Sequence, residues 1–293
     1  MRLIDTHCHV HFHAYKNDMD EVVKRSLIKN VFLITVGTQS ETNKKAIELA
    51  EKYDGVWATI GLHPNHTCEQ QFVDEEELDG EIIKTRCEDI DVASYRELAK
   101  HPKVVAIGEC GLDYYRIPEH LDKKEVKKKQ EEVVRTQFDL ATELDLPVVI
   151  HCRDAHEDQQ KMIREYLEAG KLERGGVVHC FTGTLEEAKK YIDLGFLLSF
   201  TGIITFPPKK KQDIGTLHTM SLPEIIAHIP LEHIMIETDA PYLTPVPHRG
   251  ERNEPIYVEY VAQKIAEIKN TSLEEVAETT FQNAVRLFRL KIS

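Results

Sequence analysis

Residues 104–151 read VVAIGECGLDYYRIPEHLDKKEVKKKQEEVVRTQFDLATELDLPVVIH. The stretch opens on an apolar run, Val104–Gly108, and closes on another, Pro147–His151. Between them lies a polar, helix-like segment, Lys127–Glu143. A strand, a helix and a strand of these lengths make a βαβ unit with parallel strands. Each apolar run also finishes on a side chain able to bind metal: Glu109 closes the first and His151 the second.

The same alternation extends in both directions. Further β-branched or apolar runs are Leu3–Ile4, Val31–Val36, Val56–Leu62, Gly176–His179, Phe196–Phe200 and Ile234–Ile236. Helix-like segments separate them at Asp20–Lys29, Thr42–Tyr53, Asp158–Leu167 and Leu185–Leu194. Eight candidate strands predict a closed, distorted (β/α)8 TIM barrel of the α/β class. An open doubly wound sheet is the alternative, but no Gly-rich turn follows the first strand to support it. Thr184–Leu–Glu–Glu reads as a capped helix start and Gly195 as its stop, while Ser272–Leu–Glu–Glu opens a final helix towards Leu290. Two connections, His66–Ala93 and Pro207–Pro223, exceed the usual length, which marks function or flexibility. No repeat, low-complexity tract or shift in composition divides the chain. One domain over residues 1–293 is expected.

Composition agrees. The 293 residues are 41% hydrophobic and 30% charged, with a net charge of -13. Mean hydropathy is -0.38. These values exclude disordered, fibrous and membrane classes, and α/β barrels often reach about 250 residues as one domain. No basic region followed by an apolar stretch begins the chain, so a secretory leader is not expected. No window approaches the roughly 18 apolar residues of a membrane span. Six cysteines without dense spacing do not form a disulfide framework. The protein is expected to be cytoplasmic and reduced, with no membrane association and no obligate protein partner. Its acidity argues against broad non-specific nucleic-acid binding. It leaves room for a local site where metal ions supply the positive charge.

Position carries the functional signal. His7 and His9 close the first strand, His63 the third, Glu109 the fourth, His151 the fifth, His179 the sixth and Asp239 the eighth. In a parallel barrel all these ends point to one face, where active sites are built. Strand side chains alternate, so His7 and His9 face the barrel mouth together and Cys8 faces away. Cys110, Cys152 and Cys180 likewise follow Glu109, His151 and His179, and are expected to pack against helices as small hydrophobes. Imidazole favours Zn, Mn, Fe or Ni, and carboxylates extend the range to Mg and Mn. His7, His9, Glu109, His151, His179 and Asp239 offer more ligands than one catalytic ion needs. The economical arrangement is two divalent ions (Mg, Mn or Zn) with Glu109 between them. Asp113 and Glu237 are the next carboxylates to consider for that bridge.

Arg153 lies two beyond His151 on the same strand face and can fork onto phosphate. His63, in Gly–Leu–His–Pro, suits metal or substrate; substrate is preferred because the ligand set is already sufficient. Arg249, Arg252 and Asn253 belong to a polar loop on the mouth face, with Arg249 a candidate substrate contact. Lys123–Lys129 starts a helix. Lys209–Lys211 is better placed to guide a polyanion.

Asp5–Thr–His–Cys–His, Gly61–Leu–His–Pro, Ile107–Gly–Glu–Cys–Gly–Leu–Asp–Tyr–Tyr, Ile150–His–Cys–Arg, His179–Cys–Phe–Thr–Gly and Glu237–Thr–Asp–Ala–Pro–Tyr–Leu together resemble the TatD family of metal-dependent deoxyribonucleases. The similarity spans nearly the whole chain in order. It implies a distorted barrel in which His7, His9, Glu109 and Asp239 hold one metal, and Glu109, His151 and His179 the other. It also implies DNA as substrate, single-stranded or at its 3′ ends, digested in the 3′-5′ direction, with Asp239 orienting or deprotonating the attacking water. The acidic segment Cys68–Ala93 is longer than in compact members of that family. An amidase, lactonase or deaminase of a small molecule is the alternative on the same barrel. A carboxylated lysine bridge belongs to that wider superfamily; here the position is Glu109. A metal-binding scaffold without turnover is a third class, and a site open to water at a barrel mouth argues against it.

Overall fold

The computed structural model describes residues 1–73, 82–207 and 220–292. Its strands are β1 (Leu3–Cys8), β2 (Val31–Val36), β3 (Val56–Ile60), β4 (Gln70–Val73), β5 (Ile82–Thr85), β6 (Val104–Asp113), β7 (Val148–Arg153), β8 (Gly176–Val178), β9 (Leu197–Phe200) and β10 (Ile234–Ile236). The helices are α1 (Met19–Ile28), α2 (Ser40–Lys52), α3 (Val92–Leu98), α4 (Lys123–Glu143), α5 (His156–Glu168), α6 (Leu185–Asp193), α7 (Leu222–His228), α8 (Val258–Lys269) and α9 (Leu273–Phe288). Eight strands pair in the order β1-β2-β3-β6-β7-β8-β9-β10. All seven pairings are parallel. The open doubly wound alternative is set aside, because the sheet curls until β10 returns to β1.

That last seam is built differently from the others. Cys8 bridges Ala240, the Asp239 N–H donates to the His7 carbonyl at 2.9 Å, and the His9 N–H donates to the Ala240 carbonyl at 2.7 Å. Below them the buried Asp5 carboxylate accepts the Thr238 N–H at 2.8 Å and the Thr238 hydroxyl at 2.5 Å. A side chain thus replaces part of the backbone ladder between first and last strands.

Two bulges decide which side chains face inward. From Asp5 to Cys8, β1 advances three residues while β2 advances two, Leu33 to Thr35. Ile4 packs with the barrel interior, yet Cys8 packs in the helix layer, although four residues of unbroken alternation would keep them on one face. The same shift occurs between Ile107 and Cys110, opposite Val148 to Ile150 of β7. Ala106 lies in the interior cluster; beyond the extra residue, Cys110 and Leu112 lie in the helix layer. Glu109 and Asp113 are thereby turned inward. Gly111 lets β6 approach β7, since a Cβ there would lie 1.9 Å from the His151 carbonyl oxygen.

The barrel interior is filled by Ile4, Ile34, Val105, Val149, Val177, Leu197 and Met235, with Phe281, Ala284 and Phe288 of α9 joining them. The Phe281 ring lies 4.5 Å from the guanidinium of Arg2, just before β1, so α9 closes the end opposite the mouth. Helix ends follow local chemistry. Thr184 and Glu187 form the expected capping box of α6, and the Ser272 hydroxyl accepts the Glu275 N–H at the start of α9. Asp122 caps α4, whose first residue, Lys123, lies four before the helix-like segment Lys127–Glu143, so Lys123–Lys129 starts the helix as expected. The His66–Ala93 connection is not featureless: β4 and β5 pair antiparallel within it, Gln70 opposite Thr85. Its middle, 74–81, and the Lys209–Lys211 run lie outside the described residues.

Candidate metal centre

The seven side chains predicted at the strand ends do converge. Glu109 is central. Its Oε1 lies 3.0 Å from His151 Nδ1, 3.3 Å from His63 Nε2 and 3.6 Å from His179 Nε2. Its Oε2 lies 3.5 Å from His7 Nε2. Asp239 Oδ1 stands 3.3 Å from His9 Nε2 and 3.7 Å from His7 Nε2. Three sets have ligand atoms close enough for one ion: His7, His9 and Asp239; His7, Glu109 and His179; His63, Glu109 and His151. His63, preferred above as a substrate contact, therefore stands within the ligand-competent cluster on the same footing as His151.

Groups behind the rings set which nitrogen faces the centre. The Val36 carbonyl lies 2.7 Å from His9 Nδ1 and can only accept, so Nδ1 carries a proton and Nε2 is the nitrogen turned inward. Glu237 Oε1 lies 2.8 Å from His179 Nδ1 and also accepts the Cys180 N–H at 2.7 Å. Asp113 Oδ2 lies 3.2 Å from His151 Nε2, while Asp113 Oδ1 accepts the N–H groups of Tyr115 and Arg116 at 3.0 and 2.9 Å. A carboxylate or carbonyl behind an imidazole is the arrangement that orients metal-binding histidines. Asp113 and Glu237 thus act behind the rings; they were considered above only as substitutes for Glu109. Their spacing is visible in the sequence, four residues from Glu109 and two from Asp239, but which ring each one backs is not.

These orientations gather ligand-competent atoms in one place. His7 Nε2 and His9 Nε2 are 3.3 Å apart, with Glu109 and Asp239 alongside. A buried gathering of imidazole nitrogens and carboxylate oxygens of this kind fits divalent cations. Electrostatics agree. Burial works to lower His179, but Glu237, Asp239 and Glu109 overcome it and push the ring up to about 10. Burial also opposes charge on His151, and Asp113 and Glu109 outweigh it upward. His7 and His63 are pushed down, by burial first. Burial would raise Glu109, yet His63, His179 and His7 hold it well below the usual carboxylate range. Without metal, the carboxylates keep a proton on His179 near neutral pH and shift His151 in the same direction.

The predicted arginines divide. The Arg153 guanidinium stacks on Tyr115 at 3.9 Å from the ring centre, and Arg249 stacks on Phe206 at 4.0 Å. Arg252 instead forks onto Asp18 at 2.8 and 2.6 Å and bonds the Ala14 carbonyl. Asn253 is buried and donates to the Thr238 carbonyl at 2.9 Å. Those two residues brace the loop after β10 against the start of α1. Cys8, Cys110 and Cys152 pack in the helix layer as expected. Cys180 does not: its φ of 43° breaks the alternation, and its sulfur lies 3.6 Å from Thr201 Oγ1.

A family model described as TatD related DNase matches residues 4–289. YabD of Bacillus subtilis (strain 168), named an uncharacterized metal-dependent hydrolase, is 42% identical over 289 residues, 98% of this chain and 99% of its own. The 3′-5′ ssDNA/RNA exonuclease TatD of Escherichia fergusonii is 35% identical over 280 residues, 94% of each chain. The crystal structure of YJJV, a TatD homologue from Escherichia coli K12, has a TM-score of 0.79 at 28% identity and covers 99% of both chains.

Proposed function

The chain belongs to the TatD-related DNase family and is a metal-dependent hydrolase; from that premise we propose that it hydrolyses phosphodiester bonds of DNA from the 3′ end with two divalent ions. The observation that carries this reading is Glu109, whose two oxygens face different imidazoles: His63, His151 and His179 on one, His7 on the other. His7, His9, Glu109 and Asp239 would hold one ion, and Glu109, His151 and His179 the second. Mg, Mn or Zn bound there supplies Lewis-acid charge for the phosphate oxygens and makes water more acidic near neutral pH.

The chain's own groups do the rest. Burial would raise the Asp239 carboxyl, but His179, His9 and His7 hold it below its ordinary value, so it stays ionised and can orient a water and accept its proton. His63 Nε2 reaches into the centre beside Glu109 and can meet a phosphate oxygen in the same reach. Arg153, at the end of β7, and Arg249, in the loop after β10, serve as cations for an anionic substrate. Two arginines at the mouth favour a phosphodiester over the neutral substrate of an amidase or deaminase. Six cysteines without dense spacing fit the proposed cytoplasmic setting. Among the described residues no helix is long and apolar enough to cross a membrane.

The purified chain, supplied with Mg, Mn or Zn, is expected to shorten 5′-labelled single-stranded DNA stepwise, and chelator is expected to stop it. A 3′-phosphorothioate cap should slow the digestion. Hydrolysis of simple esters or amides with DNA left intact would overturn the reading.

A further inference from the structure

We infer that Tyr115, backed by Arg153, is a stacking platform for an unpaired nucleobase next to the reacting phosphate. The inference rests on the phosphodiesterase reading and adds the residue that reads the strand as single.

Placement comes first. Tyr115 lies two residues beyond Asp113, the last residue of β6. Its N–H is held by Asp113 Oδ1 at 3.0 Å, and the other oxygen of that carboxylate stands 3.2 Å from His151. One carboxylate therefore ties the Tyr115 backbone to a ring of the candidate centre. The side chain itself is 59% exposed, the aromatic among the large hydrophobics that the described residues leave in water. Arg153 covers one ring face at 3.9 Å, and with more than half of the residue in water there is room for a second stacking partner. A cation over an exposed ring contributes little by itself, so the pair does not explain why the ring stands in water. A guanidinium stacked this way still presents its edge N–H groups to phosphate.

The same chemistry recurs farther round the mouth. Arg249 stacks on Phe206, and the neighbouring Val246, which donates its N–H to Thr205 Oγ1 at 2.9 Å, is 43% exposed. Aromatic faces paired with guanidinium groups match a single strand, whose bases need stacking partners and whose phosphates need cations. In a duplex the base faces are already stacked on one another. A strand must present an unpaired base to lie on Tyr115, so the platform selects single strands and frayed ends whatever their sequence. Ribose and deoxyribose strands share the chemistry.

The test compares the full-length chain with Tyr115→Ala and Tyr115→Phe. Binding is read by fluorescence anisotropy in chelator, using oligodeoxythymidylate and an abasic oligomer of equal length. The wild type is expected to bind the base-bearing strand roughly tenfold more tightly. Tyr115→Ala should lose that preference with abasic binding unchanged, and Tyr115→Phe should keep it. The Tyr115 N–H that Asp113 holds survives both changes, and equal metal content and melting temperature would confirm intact folding. No base preference in the wild type, or the same preference in Tyr115→Ala, overturns the platform. Cleavage measured in parallel with metal separates the two readings. Tyr115-dependent binding without DNA hydrolysis would sink the nuclease reading and leave the platform standing. Normal hydrolysis with Tyr115-independent binding would do the reverse.

Discussion

Glu109 carries the centre because it is the carboxylate that faces His7 of β1, His63 after β3, His151 of β7 and His179 after β8 at once, through both oxygens. If it bridges two ions, its loss removes a ligand from each and leaves two cations close together with less compensating charge. Glu109→Ala is therefore expected to retain less than one metal per chain and no turnover. His151→Ala should keep about one, since His7, His9 and Asp239 remain for the other ion. Elemental analysis per folded chain decides; equal losses in the two variants would refute the bridge. At this scale the sequence was legible for side chains that end apolar runs. It was not legible for Asp113, Glu237 or Asp5, whose roles depend on which ring or strand lies across from them. Nor did it distinguish Arg153, stacked at the mouth, from Arg252, held by Asp18.

At the scale of elements, the bulges and the β1–β10 seam matter most. Strict alternation counted from Ile4 would turn His7 and His9 towards the helices; the extra residue between Asp5 and Cys8 turns them inward. The pairing of residues two apart was readable, but the bulge was not, because it exists only in register with β2. The hairpin inside His66–Ala93 and α3, which starts at its end, have no counterpart in the sequence reading because their apolar runs are only two or three residues long. The seam can be tested directly. Thr238 donates its hydroxyl to Asp5, and its Oγ1 accepts the Ala240 N–H at 3.1 Å, all in fully buried surroundings. Thr238→Val keeps the shape and strands both partners, at a cost of about 2–3 kcal/mol. The urea midpoint should fall with its slope unchanged. A loss under about 0.5 kcal/mol would show that the seam closes without this bond.

For the molecule as a whole, ions that bind only the folded chain add to its stability by mass action, about 4 kcal/mol at a thousandfold excess over Kd. The effect should depend on pH. His179 is lifted from 6.5 to about 10, so metal-free chains hold a proton there at neutral pH, and His151 is shifted in the same direction. That protonation stabilises the metal-free fold fully below pH 6.5 and is lost as pH rises towards 10. Metal must displace the same protons, so its apparent affinity rises over that window. The gain in melting temperature on adding Mg or Mn is therefore expected to grow between pH 6.5 and 9, with protons released on binding. A gain that shrinks with pH would contradict this charge balance.

Sequence alone determined the alternation of strands and helices, the count of eight barrel strands, the capped helix starts and the positions of metal-competent residues at strand ends. Those features are local: a β-branched run, a Thr–Leu–Glu–Glu start or a terminal histidine is readable within a few residues. Tertiary structure decided which face each residue takes, which imidazole nitrogen points inward, and which arginine stays at the mouth. Bulges, second-strand carboxylates and the Asp5–Thr238 closure join residues up to 233 positions apart. Their geometry arises only when parallel neighbours set the register and the barrel closes on itself.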